Sequence, residues 1–101
     1  MDQRLKFQTL LEELLGSRNV HFQPNENISM TYPAIVYNLD YMESLHGNNK
    51  PYNIQDRYSV TYIDRKPTSD MRMKLASLPK SAFDRAFQSN GLNHIIFNIY
   101  Y

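Results

Sequence analysis

The chain contains 101 residues, of which 42% are hydrophobic and 13% aromatic, and its formal net charge is +1. This length and composition fit one globular domain, residues 1–101, with a modest core. Cysteine is absent, which excludes disulfide bonds, thiol nucleophiles and cysteine-ligated zinc. The balanced charge excludes a global field that would attract nucleic acid or an anionic membrane.

The N-terminal segment has the pattern of an amphipathic helix. Asp2 can cap it, and Gly16 suits the left-handed position that ends it. Its apolar positions recur with helical spacing, at Phe7, Leu10, Leu11, Leu14 and Leu15. A stripe of this kind needs a surface to cover, and we expect a sheet of the same chain to supply it.

Two strands are predicted next. Val20-His21-Phe22 is a short apolar run that Pro24 ends, and residues 32–39 are rich in aromatic and β-branched side chains. Pro33 suggests a strand entrance or an edge strand. Residues 40–53 are polar and contain Gly47 and Pro51, so the sequence predicts a long loop there. Such a loop is either functional or an ordinary mobile connection, and the residues leave both open.

The second half of the chain predicts one more strand, a helix and a terminal hairpin of two strands. Tyr58, Val60 and Tyr62 alternate with polar residues, as in a strand with one polar face. Residues 64–70 break this strand and lead into a helix from Ser69 or Asp70 to Leu78, before Pro79.

A hairpin signal closes the sequence. Residues 81–87 and 92–101 flank Asn90-Gly91, which favours a tight turn between two strands. Phe83 and Phe87 alternate on the first of these strands. The element order therefore predicts an α+β fold, in which an antiparallel β-sheet of four to five strands carries two helices on one face.

No pattern in the sequence indicates catalysis, a cofactor or a metal. His21, His46 and His94 fall on separate elements, and the adjacent Glu12 and Glu13 cannot face each other on a helix. No apolar run approaches the roughly 20 residues that would span a bilayer. We expect a soluble, intracellular protein that is not an enzyme, with no catalytic, cofactor-binding or metal site and no membrane partner.

Charge and polar composition favour contact with other chains. Residues 1–50 carry 4 basic and 6 acidic side chains, whereas residues 51–101 carry 7 basic and 4 acidic ones. The basic stretch 65–85 near Tyr58 and Tyr62 fits nucleic-acid binding less well than a solvated helix face or a patch for an acidic neighbour. The 8 Tyr and 10 Asn residues are many for one small domain, and tyrosine is enriched at interfaces.

The order of several short segments resembles the tail terminator, or tail-completion, proteins of long-tailed, siphovirus-like phages. The resemblance covers nearly the whole chain. The segments that carry it are Met1-Asp2-Gln3-Arg4-Leu5-Lys6-Phe7 with the following leucine-rich run, Tyr32-Pro33-Ala34-Ile35-Val36-Tyr37, Asn49-Lys50-Pro51-Tyr52, Tyr58-Ser59-Val60-Thr61, Ile63-Asp64-Arg65, Ser81-Ala82-Phe83-Asp84-Arg85, Leu92-Asn93-His94 and Phe97-Asn98-Ile99-Tyr100-Tyr101.

The resemblance implies a structural protein of virion assembly. Proteins of this group form a ring, commonly of six subunits, on the head-proximal end of the tail tube. The ring stops tube polymerisation and presents a docking surface to the head–tail connector or stopper protein. The implied partners are therefore copies of the chain itself, the tail tube protein and the connector. DNA would pass through the ring without specific binding, and the protein would occur in the virion and, during assembly, in the host cytoplasm.

We expect the ring contacts on the two long polar segments, because a rigid sheet would project them. The candidate interface residues are Tyr41, Met42, Leu45, Asn48, Asn49 and Tyr52 from the first segment, and Arg65, Lys66 and Asp70 from the second. Two other functions remain open: another phage neck subunit of connector or stopper type, and a small nucleic-acid-binding module.

Overall fold

The computed structural model describes residues 3–24, 31–47, 50–66 and 70–101, with the backbone alone for 43–47 and 50–54. Two helices and five strands follow one another along the chain. Their bounds are α1 Gln3–Leu15, β1 Val20–Phe22, β2 Ala34–Gly47, β3 Lys50–Asp64, α2 Met71–Ala76, β4 Ser81–Ser89 and β5 Leu92–Tyr100. In the described part of the chain, no helix is long and apolar enough to cross a membrane.

The five strands form one sheet in the order β1-β2-β3-β5-β4, and both helices pack on it. This confirms the α+β fold with two helices. The sheet is mixed rather than wholly antiparallel, because β1 runs parallel to β2, with Val20 beside Ile35. All other neighbouring strands are antiparallel. Residues 23–33 supply the longer connection that a parallel pair needs, whereas the antiparallel pairs follow from short turns.

Helix α1 covers the sheet with the predicted stripe. Phe7 and Leu11 are fully buried, while the other three positions of the stripe are partly buried against the same core. The helix ends as expected at Gly16, whose φ is +77° and whose N–H donates to the Glu12 carbonyl at 2.9 Å. The predicted cap, Asp2, lies outside the described residues.

The core under α1 is built from aromatic rings. The Phe7 ring lies 4.9 Å from the rings of both Tyr58 and Tyr101 and 5.5 Å edge-on from that of Tyr37. The buried Tyr37 hydroxyl donates to Oε1 of Gln8 on the same helix. Ring contacts of this geometry add to the hydrophobic gain of burial, so α1 is held by both packing and a hydrogen bond.

The expected long loop at residues 40–53 is wrong. β2 continues to Gly47 and β3 begins at Lys50, so the two strands form a long hairpin whose closing residues 48 and 49 lie outside the described residues. β2 also begins at Ala34, two residues later than predicted. Register shifts occur between Leu39 and Tyr41 and again farther along. Bulges of this kind let polar, irregular sequence remain in a ladder.

Helix α2 is shorter than predicted, because it spans Met71–Ala76 and not residues up to 78. Met71 and Leu75 are buried, and Leu78 packs partly against the core beyond the helix end. The final hairpin is confirmed. Asn90 and Gly91 both have positive φ, +52° and +76°, as a two-residue turn between twisted antiparallel strands requires.

Candidate interaction surfaces

The outer half of the β2–β3 hairpin projects from the sheet, and we call residues 40–47 and 50–56 the arm. The β5 pairing of β3 ends at Arg57, and the β1 pairing of β2 ends at Tyr37. Beyond these points the two strands form ladder pairs only with each other within the described chain, although Asp56 still accepts from the Tyr101 N–H and Gln55 from the Lys80 side chain. The long axis of the molecule is accordingly 51 Å, against 24 and 23 Å across it. A two-stranded ribbon without further support is marginally stable in water.

The arm carries the first set of predicted interface residues. Tyr41 is 50% exposed and Met42 is 55% exposed. The backbone places Leu45 on β2 and Tyr52 on β3, and their side chains are not described. Asn48 and Asn49 lie outside the described residues. Tyr41 and Met42 pair with successive residues of β3, Arg57 and Asp56, so they lie on opposite faces of the ribbon.

An ion pair and a ring contact fix the base of the arm. The Arg57 Nε donates to Asp40 Oδ1 at 3.0 Å, and the guanidinium carbon lies 5.1 Å from the centre of the Tyr41 ring. The side-chain hydrogen bond to Asp40 is the main cause that raises the pKa of Arg57 above its ordinary value. This arginine therefore stays charged at any pH at which the protein would be studied.

The second predicted set lies at the other end of β3. Arg65 and Lys66 are exposed just after the strand, and Asp70 is exposed just before α2. Buried Asp64 holds this turn, because its carboxylate accepts from the Tyr62 hydroxyl at 2.6 Å and from the Lys66 backbone N–H at 3.2 Å. At about 3.3 Å per strand residue, roughly 30 Å separates Arg65 from Asp56, the ladder partner of Met42 on the arm. The structure thus keeps the two sets apart.

A third surface, between α2 and β4, was not predicted. We call it the α2–β4 groove. Met73 is 63% exposed and Phe83 is 61% exposed. Together with neighbouring apolar side chains they line a groove of about 380 Å³ that has Arg72 at its rim. Exposed apolar area of this kind is typical of contact sites. Phe83 was the available signal in the sequence, since an aromatic residue on the first strand of the predicted terminal hairpin need not enter a small core.

The two phenylalanines of β4 do not share a face, although the sequence predicted that they alternate. Phe83 pairs with Phe97 and Phe87 pairs with His94, while the ladder shifts register between Phe83 and Arg85. The extra residue is Asp84, which forms a bulge and turns the rest of the strand over. Phe83 therefore lies on the helix-covered face, and Phe87 stacks on the His94 ring on the other face, 4.6 Å away.

The outer edge of β4 is open. β4 pairs with β5 alone among the described strands, and its residues are exposed from Ala82 to Ser89. An edge of this length presents a row of backbone donors and acceptors to another chain. It lies at one border of the sheet, about 14 Å from β2 at three strand spacings and about 10 Å from β3 at two, and the arm extends from these two strands.

The part of the chain that the structure describes has no group of three or more His, Asp or Glu residues able to hold a metal. His21 Nε2 lies 2.8 Å from the Asn19 side-chain oxygen, and His94 packs on Phe87. The expectation that the protein is not an enzyme stays a prediction.

No protein-family model matches the chain, and no significantly similar curated protein is found.

Proposed function

We propose that the protein is a structural subunit of phage tail assembly, a tail terminator. In this role copies of the chain form a ring, with the six subunits that the resemblance implies, on the head-proximal end of the tail tube. The ring stops tube polymerisation and receives the head–tail connector. The resemblance of the chain to this group is the source of the proposal.

The observation that best supports the proposal is the presence of two unlike exposed surfaces at different places on one sheet, the arm of β2 and β3 and the groove at the β4 border. A subunit that assembles head to tail needs two different surfaces that fit each other. The arm supplies one, with Tyr41 and Met42, and the α2–β4 groove with the open edge of β4 supplies the other. The turn with Arg65 and Lys66 remains available for the tube or the connector.

The test is electron microscopy of a lysate in which the gene for this chain is deleted. The proposal predicts filled heads beside separate tails, with tails that are overlong or irregular at the head-proximal end. Adding the purified protein to such a lysate should restore joining and place a ring at one tail end. Intact virions in the deletion lysate would contradict the proposal.

The same lysate separates the alternatives. A connector or stopper subunit would leave tails of normal length, with heads that fail to retain DNA. A nucleic-acid-binding module would leave assembly unchanged, and the purified protein would bind single-stranded DNA or RNA with an affinity that falls steeply with salt.

A further inference from the structure

We infer that the arm of one copy adds as a strand to the open edge of β4 in the next copy, with Met42 entering the α2–β4 groove. This inference deepens the proposed function by naming the surfaces through which two subunits of the ring meet. It rests on the proposed function for the biological role of that contact. The partner is a second copy of this chain.

The arm lacks the support that the rest of the sheet has. Within the described chain, residues 40–47 and 50–55 form ladder pairs only with each other. At the base of the arm, the Asp56 carbonyl accepts from the Tyr101 N–H at 3.1 Å, and Oε1 of Gln55 accepts from Nζ of Lys80 at 3.2 Å. An additional strand beside the ribbon, with apolar cover on one face, is what such a hairpin needs for stability. The arm therefore gains more from a partner than any other part of the molecule.

The edge of β4 offers what the arm needs. Its outer N–H and C=O groups have no strand beside them among the described residues. The bulge at Asp84 divides this edge into two short rows, and the row at Phe83 borders the α2–β4 groove. Strand addition at such an edge derives its affinity from backbone hydrogen bonds and its specificity from alternate side chains in adjacent pockets.

Met42 on the arm and Phe83 on β4 lie on the same side of the sheet. Met42 pairs with Asp56, which puts it on the same face as Tyr58 and hence on the helix-covered side. Phe83 pairs with Phe97 on that side as well. A strand added beside β4 in the plane of the sheet would bring Met42 next to Phe83 and beneath Met73. Methionine suits such a site, because its flexible side chain fills irregular apolar grooves.

The arm and the region of α2 and β4 also carry opposite charge. The arm carries Asp40, Glu43 and Asp56 against Lys50, and Asp40 is already paired with Arg57. α2 and the segment through β4 carry four basic residues, Arg72, Lys74, Lys80 and Arg85, against one acidic residue, Asp84. Opposite signs favour contact between the arm and this region and disfavour contact between two arms.

Single-cysteine variants test the contact directly, because the natural chain has no cysteine. M42C and M73C are purified separately, mixed at high protein concentration and treated with a short bismaleimide. We expect a crosslinked heterodimer from the mixture and little product from either variant alone. L5C, which puts a cysteine at an exposed position of α1, is the control and should give little product with M42C. Equal yields with M73C and L5C, or dominant M42C homodimers, would overturn the inference.

A charge placed in the groove sharpens the test. F83K in the M73C chain should lower the heterodimer yield about tenfold, as expected for an apolar contact at the centre of an interface. A82K, on the adjacent exposed residue and the other face of β4, adds the same charge and should leave most of the yield. Both side chains are exposed, and far-ultraviolet circular dichroism should confirm that both variants fold. Equal effects of the two variants would contradict the role of the groove.

The inference and the proposed function fail separately. Rings on tail ends without any M42C–M73C product would overturn the arm contact and leave the terminator function standing. A specific M42C–M73C product from a protein that neither caps tails nor affects joining would retain the arm contact and reject the function.

Discussion

The inner and outer halves of β3 belong to one continuous strand but differ in the strands that lie beside them. Residues 57–64 lie between β2 and β5, and Tyr58, Val60 and Tyr62 are buried on the helix-covered face. Residues 50–55 form ladder pairs with β2 alone, and Asp56 accepts one further hydrogen bond from the Tyr101 N–H at 3.1 Å. The comparison teaches that strand formation and burial are separate properties, since the same hairpin ladder runs through a packed core and a projecting ribbon. We call the packed part of the protein outside the arm the body. Substitutions in the body should therefore change the free energy of unfolding, whereas substitutions in the arm should not.

We expect the largest loss of stability from a substitution in the core under α1. Phe7→Ala removes the ring that contacts three tyrosines, and the free energy of unfolding should fall by about 3–5 kcal/mol. Urea denaturation followed by circular dichroism measures this change. Leu5→Ala, on the exposed side of the same helix, should cost less than about 1 kcal/mol. Comparable losses for both variants would show that α1 is not anchored through Phe7.

A smaller loss of stability is expected when the buried hydroxyl of Tyr37 is removed. Tyr37→Phe leaves Oε1 of Gln8 without the hydroxyl that donates to it and removes the acceptor that Arg4 reaches at 3.3 Å. The expected cost is about 1–2 kcal/mol in urea denaturation. Tyr41→Phe makes the same chemical change at an exposed site on the arm and should leave the unfolding midpoint unchanged. A similar shift for both would erase the distinction between body and arm.

A substitution at Gly91 in the β4–β5 turn should lower stability through backbone strain alone. Gly91 has φ +76°, and nothing lies within 4 Å of the position that a Cβ would take. Gly91→Ala should therefore cost about 1 kcal/mol, the price of a left-handed conformation for an ordinary residue. Ser89→Ala, two residues earlier and exposed, is the control, with a change below about 0.5 kcal/mol. A neutral Gly91→Ala would mean that the turn changes its conformation freely.

The smallest global effect is expected at the base of the arm. Arg57→Gln removes the ion pair with Asp40 and the contact with the Tyr41 ring. Amide hydrogen exchange should accelerate in residues 40–56, while exchange in residues 58–63 and the unfolding midpoint stay as in the natural protein. Lys74→Gln, which removes an exposed cation from α2, should change neither. Uniform acceleration along β3 would show that the arm and the body open together.

The parts of the fold that the sequence predicted are those with strong local signals. Phe7 and Leu11 lie at helical spacing, so their burial could be read from periodicity. Gly16 and the Asn90-Gly91 pair mark backbone conformations that few other residues adopt. In each case a few neighbouring residues determine the structure, and tertiary context does not override them.

The arm and the direction of β1 depend on distant contacts. Gly47 and Pro51 are typical of loops, and only pairing between β2 and β3 across the hairpin overrides that preference. Val20 and Phe22 predict a strand, but nothing in a three-residue run specifies a parallel neighbour. The α2–β4 groove was missed because its exposure depends on the bulge at Asp84, which changes the face of every later residue in the strand.

The extra residue at Asp84 also affects which complexes β4 disfavours. Two copies that met through identical β4 edges would form a closed, two-fold pair, and neither would then have a free β4 edge. A continuous ladder along both strands would favour that pair. The bulge interrupts the ladder near its middle and bends the edge, so a matching strand from a twin molecule can pair over only part of its length. One added residue thus works against a dead-end dimer and keeps newly made protein available for contacts between unlike surfaces.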